Sequence, residues 1–429
     1  MSTPYLAAPD YKPTADVRRP DLTPVQHLAT VALPWVMMFW MFSGGFVFIE
    51  PSPYEFVFVA AIPVMVLAGV GLYRGNLNLM NLLIFFMPFA FVGAWQVTHM
   101  TVLKGTIYIV VTIFLWLTAF FVANYVTDAP QRHMRVLMRG YTAAAVIITI
   151  IGTLAYLGLM PGRDAFLLYG RAKATFQDPN VFGPFLILPA MYAVQRVFLS
   201  TGWRAVFAAA VFGILAVGVF VSFSRAAWGA FVFATVFVFA ACFLLESSSR
   251  DRARMFTLAL IGFGLCVAAL AALLSIDSVA ALFEDRASLI QNYDSGPTGR
   301  FGRQAFAFEL ALAHPWGIGP LEFENLRVSE EPHNTYVKVL LTYGWFGGLA
   351  YFGLVWMTLR KGLSVLAKPG PLRLLMIPLM ATFVPLVIES AIIDSDHWRH
   401  YFLVVGMIWG VAAGMHVPRR VGHRAESLI

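Results

Sequence analysis

The chain has 429 residues, of which 59% are hydrophobic and only 12% charged, and its formal net charge is +7. A soluble domain carries roughly 25% charged residues, so this balance, with a mean hydropathy of +0.73, excludes a soluble globular protein. It points to an all-α polytopic membrane protein.

The N-terminal tail, taken as 1–28, is polar to about Gln26, holds five prolines and lacks the basic n-region and cleavage site of a signal peptide. The first apolar segment is therefore expected to stay as an anchor. A spanning helix needs about 20 apolar residues. About twelve segments qualify: 29–49, 54–73, 80–97, 106–126, 140–160, 180–199, 204–222, 226–245, 255–275, 335–359, 373–390 and 400–417. This gives nine spans over 29–275, a long outer loop over 276–334, three spans over 335–417 and a tail over 418–429. Cys242 and Cys266 both fall in apolar spans and read as small core hydrophobes, leaving no disulfide framework and no cysteine metal site.

With the N-terminus in the cytoplasm, the inner segments collect most of the cations, among them Arg132, Arg135, Arg139, Arg250, Arg252, Arg254, Arg360, Lys361, Arg419 and Arg420. The positive-inside rule thus accounts for the charge without nucleic acid and puts both termini in the cytoplasm. Arg163, Arg171, Lys173, Arg225, Arg286, Arg300, Arg303, Arg327 and Arg399 fall outside, or at the outer membrane edge. Topology does not need them there, and an anionic ligand would.

The outer loop is the one long connection, and loops of that length are usually functional or disordered. Residues 300–313 read as a helix with Phe301, Ala305, Phe308 and Leu312 in an apolar stripe and Arg300 and Arg303 on a shared face. Pro315 ends it at His314, which reads as a helix-end residue. Gly317 and Gly319 give a tight turn. Pro332 then delivers His333 and Asn334 to the start of the tenth span. A histidine at that place suits a general base acting near neutral pH.

Two more constellations sit at the outer face, YGRAKATFQDPNVFGP over 169–184 and VSFSRAAW over 221–228. Arg225, in or near the bilayer, is either a snorkelling anchor or a phosphate ligand, and bidentate guanidinium chemistry favours the second. Arg171 would join it on one anionic group, while Lys173 is equally a solvated side chain or a partner of Asp178. Asp394, Asp396, His397 and His400 contain the types that hold divalent metals, but pairing of these carboxylates with Arg225 or Arg399 explains them without one. Glu389 at the same rim is a candidate partner for an outer arginine.

The stretches GRAKATFQDPN, SFSRAAW, His314–Gly319 and HNTYVKVLLTYGWFGG, in that order over Gly170–Gly348, resemble the O-antigen ligase and polymerase family of bacterial envelope glycosyltransferases. Asp394–Tyr401 resembles the variant found in exopolysaccharide and O-antigen loci of alphaproteobacteria. The resemblance implies an inner-membrane enzyme, needing neither metal nor cofactor, that acts at the periplasmic face. It would transfer a glycan from undecaprenyl pyrophosphate to an acceptor hydroxyl with inversion. Arg171 and Arg225 would take the pyrophosphate, and His333 would act as base on the acceptor hydroxyl. Arg300, Arg303, Lys173, Asn334 and Asp396 are the expected substrate-binding residues. The acceptor would be a growing glycan, a lipid A core or a protein hydroxyl, with polymerisation preferred and a chain-length regulator as a further partner. About twelve helices with intramembrane arginine also describe a flippase for lipid-linked sugars, although the repeats common in transporters are missing. A non-catalytic assembly partner is the remaining alternative.

Overall fold

A computed structural model describes residues 22–287, 296–297, 299–326 and 330–416, apart from a few side chains including that of Arg286. The expectations placed on the two tails, on the side chain of Arg286 and on Arg327 lie outside the described residues. Thr23 and Ser52 open α1 (Pro24–Ser43) and α2 (Pro53–Leu67) with capping boxes, each followed by a proline at the first helical position. α3 (Leu77–Trp95), α4 (Val102–Asp128) and α5 (Pro130–Tyr156) follow. A two-stranded antiparallel hairpin pairs β1 (Leu167–Leu168) with β2 (Arg171–Ala172). The segment expected as one span at 180–199 is two helices end to end, α6 (Pro179–Phe185) and α7 (Ile187–Leu199). After α8 (Trp203–Val221), α9 (Arg225–Ala241) runs on through a π-helical turn to Glu246. α10 (Ser249–Leu274), α11 (Asp277–Ala287), α12 (Arg300–Ala313), α13 (Thr335–Leu366), α14 (Pro371–Glu389) and α15 (Arg399–Gly414) complete the chain.

Among the described residues ten helical segments are long and apolar enough to cross a membrane. Each of the twelve expected spans meets a helix, but α2 and α15 have only 15 and 16 residues. At about 1.5 Å per residue they reach roughly 22–24 Å, against an apolar bilayer core of about 30 Å. For α15 the reason is burial: every residue from His400 to Ala413 is covered by other helices, so lipid does not set its length. Gly406 and Gly410 bring it against α4, where a Cβ would stand 2.5 and 2.7 Å from the Ala119 and Ala123 carbonyl oxygens. α10 is the opposite case. It is apolar all round and buries only Met255, as befits a helix facing lipid on nearly every side.

α13 is broken at Gly344, whose φ of 72° and ψ of −179° suit glycine alone. The Pro315–Gly319 turn fills the break. The Ile318 N–H donates to the Leu341 carbonyl at 2.8 Å, and the Trp345 N–H donates to the Pro315 carbonyl at 2.9 Å. Gly317, at φ 81°, sits so close that a Cβ there would lie 2.7 Å from the Gly344 nitrogen. The tight turn expected at Gly317–Gly319 is thus a plug that satisfies the backbone groups freed by the kink.

α12 forms where expected, ends before His314, and has its His314 Nδ1 2.9 Å from the Leu310 carbonyl oxygen. Its packing face is not the stripe read from the periodicity. Arg303, Ala307 and Ala311 are buried, whereas Phe301, Phe308 and Leu312 are 58%, 46% and 55% exposed. The apolar stripe faces away from the protein.

Candidate active site

His333 is fixed by its own backbone. Pro332 restricts the residue before it, and His333 itself adopts φ 54°, a left-handed conformation costly for a side-chain-bearing residue. Neighbours hold it there. The Asn334 side chain caps α13, accepting from the Tyr336 and Val337 N–H groups at 3.1 and 3.2 Å. Gln304 of α12 donates to the His333 carbonyl at 2.9 Å, and the Thr335 N–H donates to the Ser390 carbonyl at 2.8 Å. Strain held by several neighbours is characteristic of functional positions.

The ring is 29% exposed, with Nδ1 3.4 Å from Asp394 Oδ2 and Nε2 3.9 Å from Glu330 Oε2. A carboxylate beside Nδ1 favours the tautomer that carries its proton there and leaves Nε2 as the basic nitrogen. Burial opposes the charge on Asp394, but Lys338 and His333 hold its carboxyl below the ordinary range.

His333 and Asp394 open on a cavity of about 380 Å³ that Lys338, Glu330, Glu331 and Trp398 also line. The facing wall is the start of α6, with Asp178 and Asn180. Asp178 caps that helix, accepting from the Asn180 N–H. The Asn180 side-chain oxygen accepts from Arg171 Nη2 at 2.8 Å, while Arg171 Nε donates to the Ser222 carbonyl at 2.9 Å. One guanidinium therefore ties together the β hairpin, the wall of the His333 cavity and the α8–α9 turn. Arg225 opens α9 three residues beyond Ser222, half-buried. The structure brings Arg171 behind the cavity wall and puts Arg225 on the turn that Arg171 grips.

The other expected residues are less directly placed. Arg303 is buried and ion-paired with Glu330, so it reaches the cavity through that carboxylate. Arg300 is half-buried at the start of α12. Lys173 is half-buried just after β2, and its backbone N–H donates to the Phe166 carbonyl. Asp396 is 3% exposed and sits below the cavity, 3.6 Å from Lys338 Nζ, and it accepts from the Tyr108 hydroxyl at 3.0 Å. His397 lies 2.8 Å from the Thr112 hydroxyl, and burial above all pushes its ring down to about 4, keeping it neutral.

The pairing expected for the acidic cluster is corrected. Arg399 pairs with Glu55 at 2.5 Å and Glu50 at 3.2 Å, while Asp394 and Asp396 meet His333 and Lys338. Glu389 does not take an arginine. Both its carboxylate oxygens are buried without a hydrogen-bond partner among the described residues. No group of three or more His, Cys, Asp or Glu among the described residues is arranged to hold a metal ion.

Sequence reading missed Lys338, Glu331, Asn180 and the role of Asp394. Lys338 carried a signal, since a lone cation in an apolar run marks a buried partner. Glu331 lies 4.0 Å from Lys338, yet burial outweighs that attraction and pushes its carboxyl up to about 7.

Comparison with curated proteins finds none that matches. Residues 210–352 match the model of the O-antigen ligase family. The match holds Arg225, Arg300, Arg303, His333 and Asn334, and leaves Arg171, Lys173, Asp394 and Asp396 outside. This segment, a third of the chain, carries the strained histidine and the arginine at the head of α9, and through it the chain is similar to the O-antigen ligase family.

Proposed function

We propose that the chain is an inverting, metal-independent glycosyltransferase of the bacterial inner membrane. It moves a glycan from undecaprenyl pyrophosphate to an acceptor hydroxyl at the periplasmic face. The observation that carries this reading is the His333–Asp394 pair opening on a cavity whose far wall is held by Arg171. His333 Nε2 takes the proton of the acceptor hydroxyl as that oxygen attacks the anomeric carbon. The bond from that carbon to the pyrophosphate oxygen breaks in the same displacement, and the pyrophosphate leaves on its prenyl carrier. Arg171 and Arg225 stabilise the charge that grows on it, aided by Arg300 and Lys173. Arg303 acts through Glu330, Asn334 fixes the ring by capping α13, and Asp396 holds Lys338 in place. Docking both substrates at the membrane surface supplies proximity.

We take the acceptor to be a second lipid-linked repeat unit, so that the reaction polymerises O-antigen or exopolysaccharide, with lipid A core as the competing acceptor. The test uses purified protein in detergent with EDTA and a pyrophosphate-linked repeat unit, with and without lipid A core. A product ladder from donor alone, lost in His333→Ala and Arg225→Ala, supports the polymerase. A single shifted lipid A product makes the chain a ligase. Full activity in His333→Ala removes His333 as the base, and no transfer to either acceptor ends the glycosyltransferase reading in favour of a flippase.

A further inference from the structure

The cavity that exposes His333 is lined mainly by negative charge. Five carboxylates face it: Asp178, Glu324, Glu330, Glu331 and Asp394. Besides the histidine, Lys338 is the one cation in that lining among the described residues. It is committed from two sides, with Nζ 3.6 Å from Asp396 and 4.0 Å from Glu331. Arg303 enters as the partner of Glu330, and Arg171 is turned to Asn180 and the Ser222 carbonyl behind the wall. Glu324 is exposed and carries no hydrogen bond or ion pair among the described residues. Glu331 registers the imbalance. Burial first, opposed by Lys338 and reinforced by Asp394, Glu324 and Asp396, pushes its carboxyl up to about 7.

Such a lining suits a sugar and opposes an acid. Ionised carboxylates only accept hydrogen bonds, and ring hydroxyls donate them. Asn180 adds an amide and Trp398 an apolar surface. The volume of about 380 Å³ falls within the range of small-ligand sites. A further carboxylate or phosphate brought into this cleft would meet its own sign, with the nearby cations already paired. Like charges brought together in a cleft repel strongly, and repulsion of the wrong partner is a specificity device in its own right.

We infer that the His333 cavity is a charge filter on the acceptor: the sugar residue presented to the histidine bears no acidic group, and uronic acids and phosphorylated sugars are rejected. The inference rests on the glycosyltransferase reading for the identity of the acceptor as a glycan. It adds the chemical class of the sugar that reaches the base.

The first test does not depend on turnover. His333→Cys is made in a Cys266→Ala background, the other cysteine, Cys242, being buried. The thiol is modified with an anionic reagent, sulfonatoethyl methanethiosulfonate, or a cationic one, trimethylammonioethyl methanethiosulfonate, and the rates are read by intact mass. Relative to free mercaptoethanol, the ratio of cationic to anionic rate should be at least about tenfold higher, as expected of a cleft lined by one sign of charge. Adding Glu324→Lys should lower that ratio at least about threefold. A ratio no higher than that of the free thiol, or one that Glu324→Lys leaves unchanged, overturns the inference. The second test uses turnover in the full chain. A labelled lipid-linked repeat unit serves as donor, and the acceptor is the same unit before or after oxidation of its primary hydroxyls to carboxylates. The oxidised acceptor should have kcat/KM at least about tenfold lower, and Glu324→Lys should narrow the gap. Equal use of the two acceptors, or preference for the oxidised one, overturns the inference. A high cationic ratio without glycan transfer to either acceptor would keep the charge filter and remove the transferase reading.

Discussion

Replacing Asp394 by Asn keeps the shape of the side chain and removes the charge that faces His333 Nδ1. A hydrogen bond to a charged group contributes about 1.5–3 kcal/mol. The Nδ1–Oδ2 distance of 3.4 Å exceeds the 2.7–3.2 Å range of a good N–H···O bond, so the lower figure applies. About 1.5 kcal/mol is roughly tenfold in rate. The expected outcome is a fall in kcat of about tenfold with KM within about twofold, because in the proposed mechanism the carboxylate acts on the base and not on bound substrate. Asp394→Glu should recover part of the loss. The assay is initial-rate glycan transfer at saturating donor, with the melting temperature of each variant recorded in the same detergent. An unchanged kcat in Asp394→Asn, or a loss that follows melting temperature alone, would refute the view that Asp394 sets the tautomer and orientation of His333.

Gly344→Ala should destabilise the protein by at least about 2 kcal/mol, read as a lowered apparent melting temperature, because a Cβ there would stand 2.5 Å from the Pro315 carbonyl oxygen. Glu331 has its carboxyl raised from 4.5 to about 7, so the folded state binds a proton that the unfolded state releases, and stability falls as pH climbs from about 4.5 to 7. Glu331→Gln should flatten that fall, worth about 3 kcal/mol, and a melting-temperature profile from pH 5 to 8 with unchanged slope would count against it. Glu322 accepts from the His99 and Met100 N–H groups and the Thr98 hydroxyl. Burial opposes its charge, but these donors hold its carboxyl below the ordinary range. Its stabilisation is therefore present above the unfolded pKa and lost as pH falls through the folded one, and Glu322→Gln should remove that acid sensitivity. Arg171→Lys keeps the charge but cannot reach both the Ser222 carbonyl and Asn180, so transfer should drop about tenfold or more, and full activity would show that the fork is dispensable.

Much of this architecture was legible in the chain because hydropathy alone marks a membrane helix. His333 and Asn334 were legible as a helix start, and the Gly317–Gly319 turn as a turn. Three things were not. The pairing of His333 with Asp394 joins residues 61 positions apart, and spacing carries no signal for it. The lengths of α2 and α15 escaped because, for α15, protein and not lipid sets the length. The stripe on α12 was read correctly as apolar, but in a membrane protein an apolar face can meet lipid as readily as protein. Periodicity gives the face and not its neighbour.

The plug at Gly344 has a mechanical consequence. The segment from Pro315 to Phe323 is rooted twice, by hydrogen bonds into the broken middle of α13 and by Glu322 on the backbone at His99 and Met100. Lifting it would strip partners from backbone groups within a spanning helix. The segment therefore behaves as a fixed strut, and a movement that opens the His333 cavity has to leave Pro315–Phe323 in place.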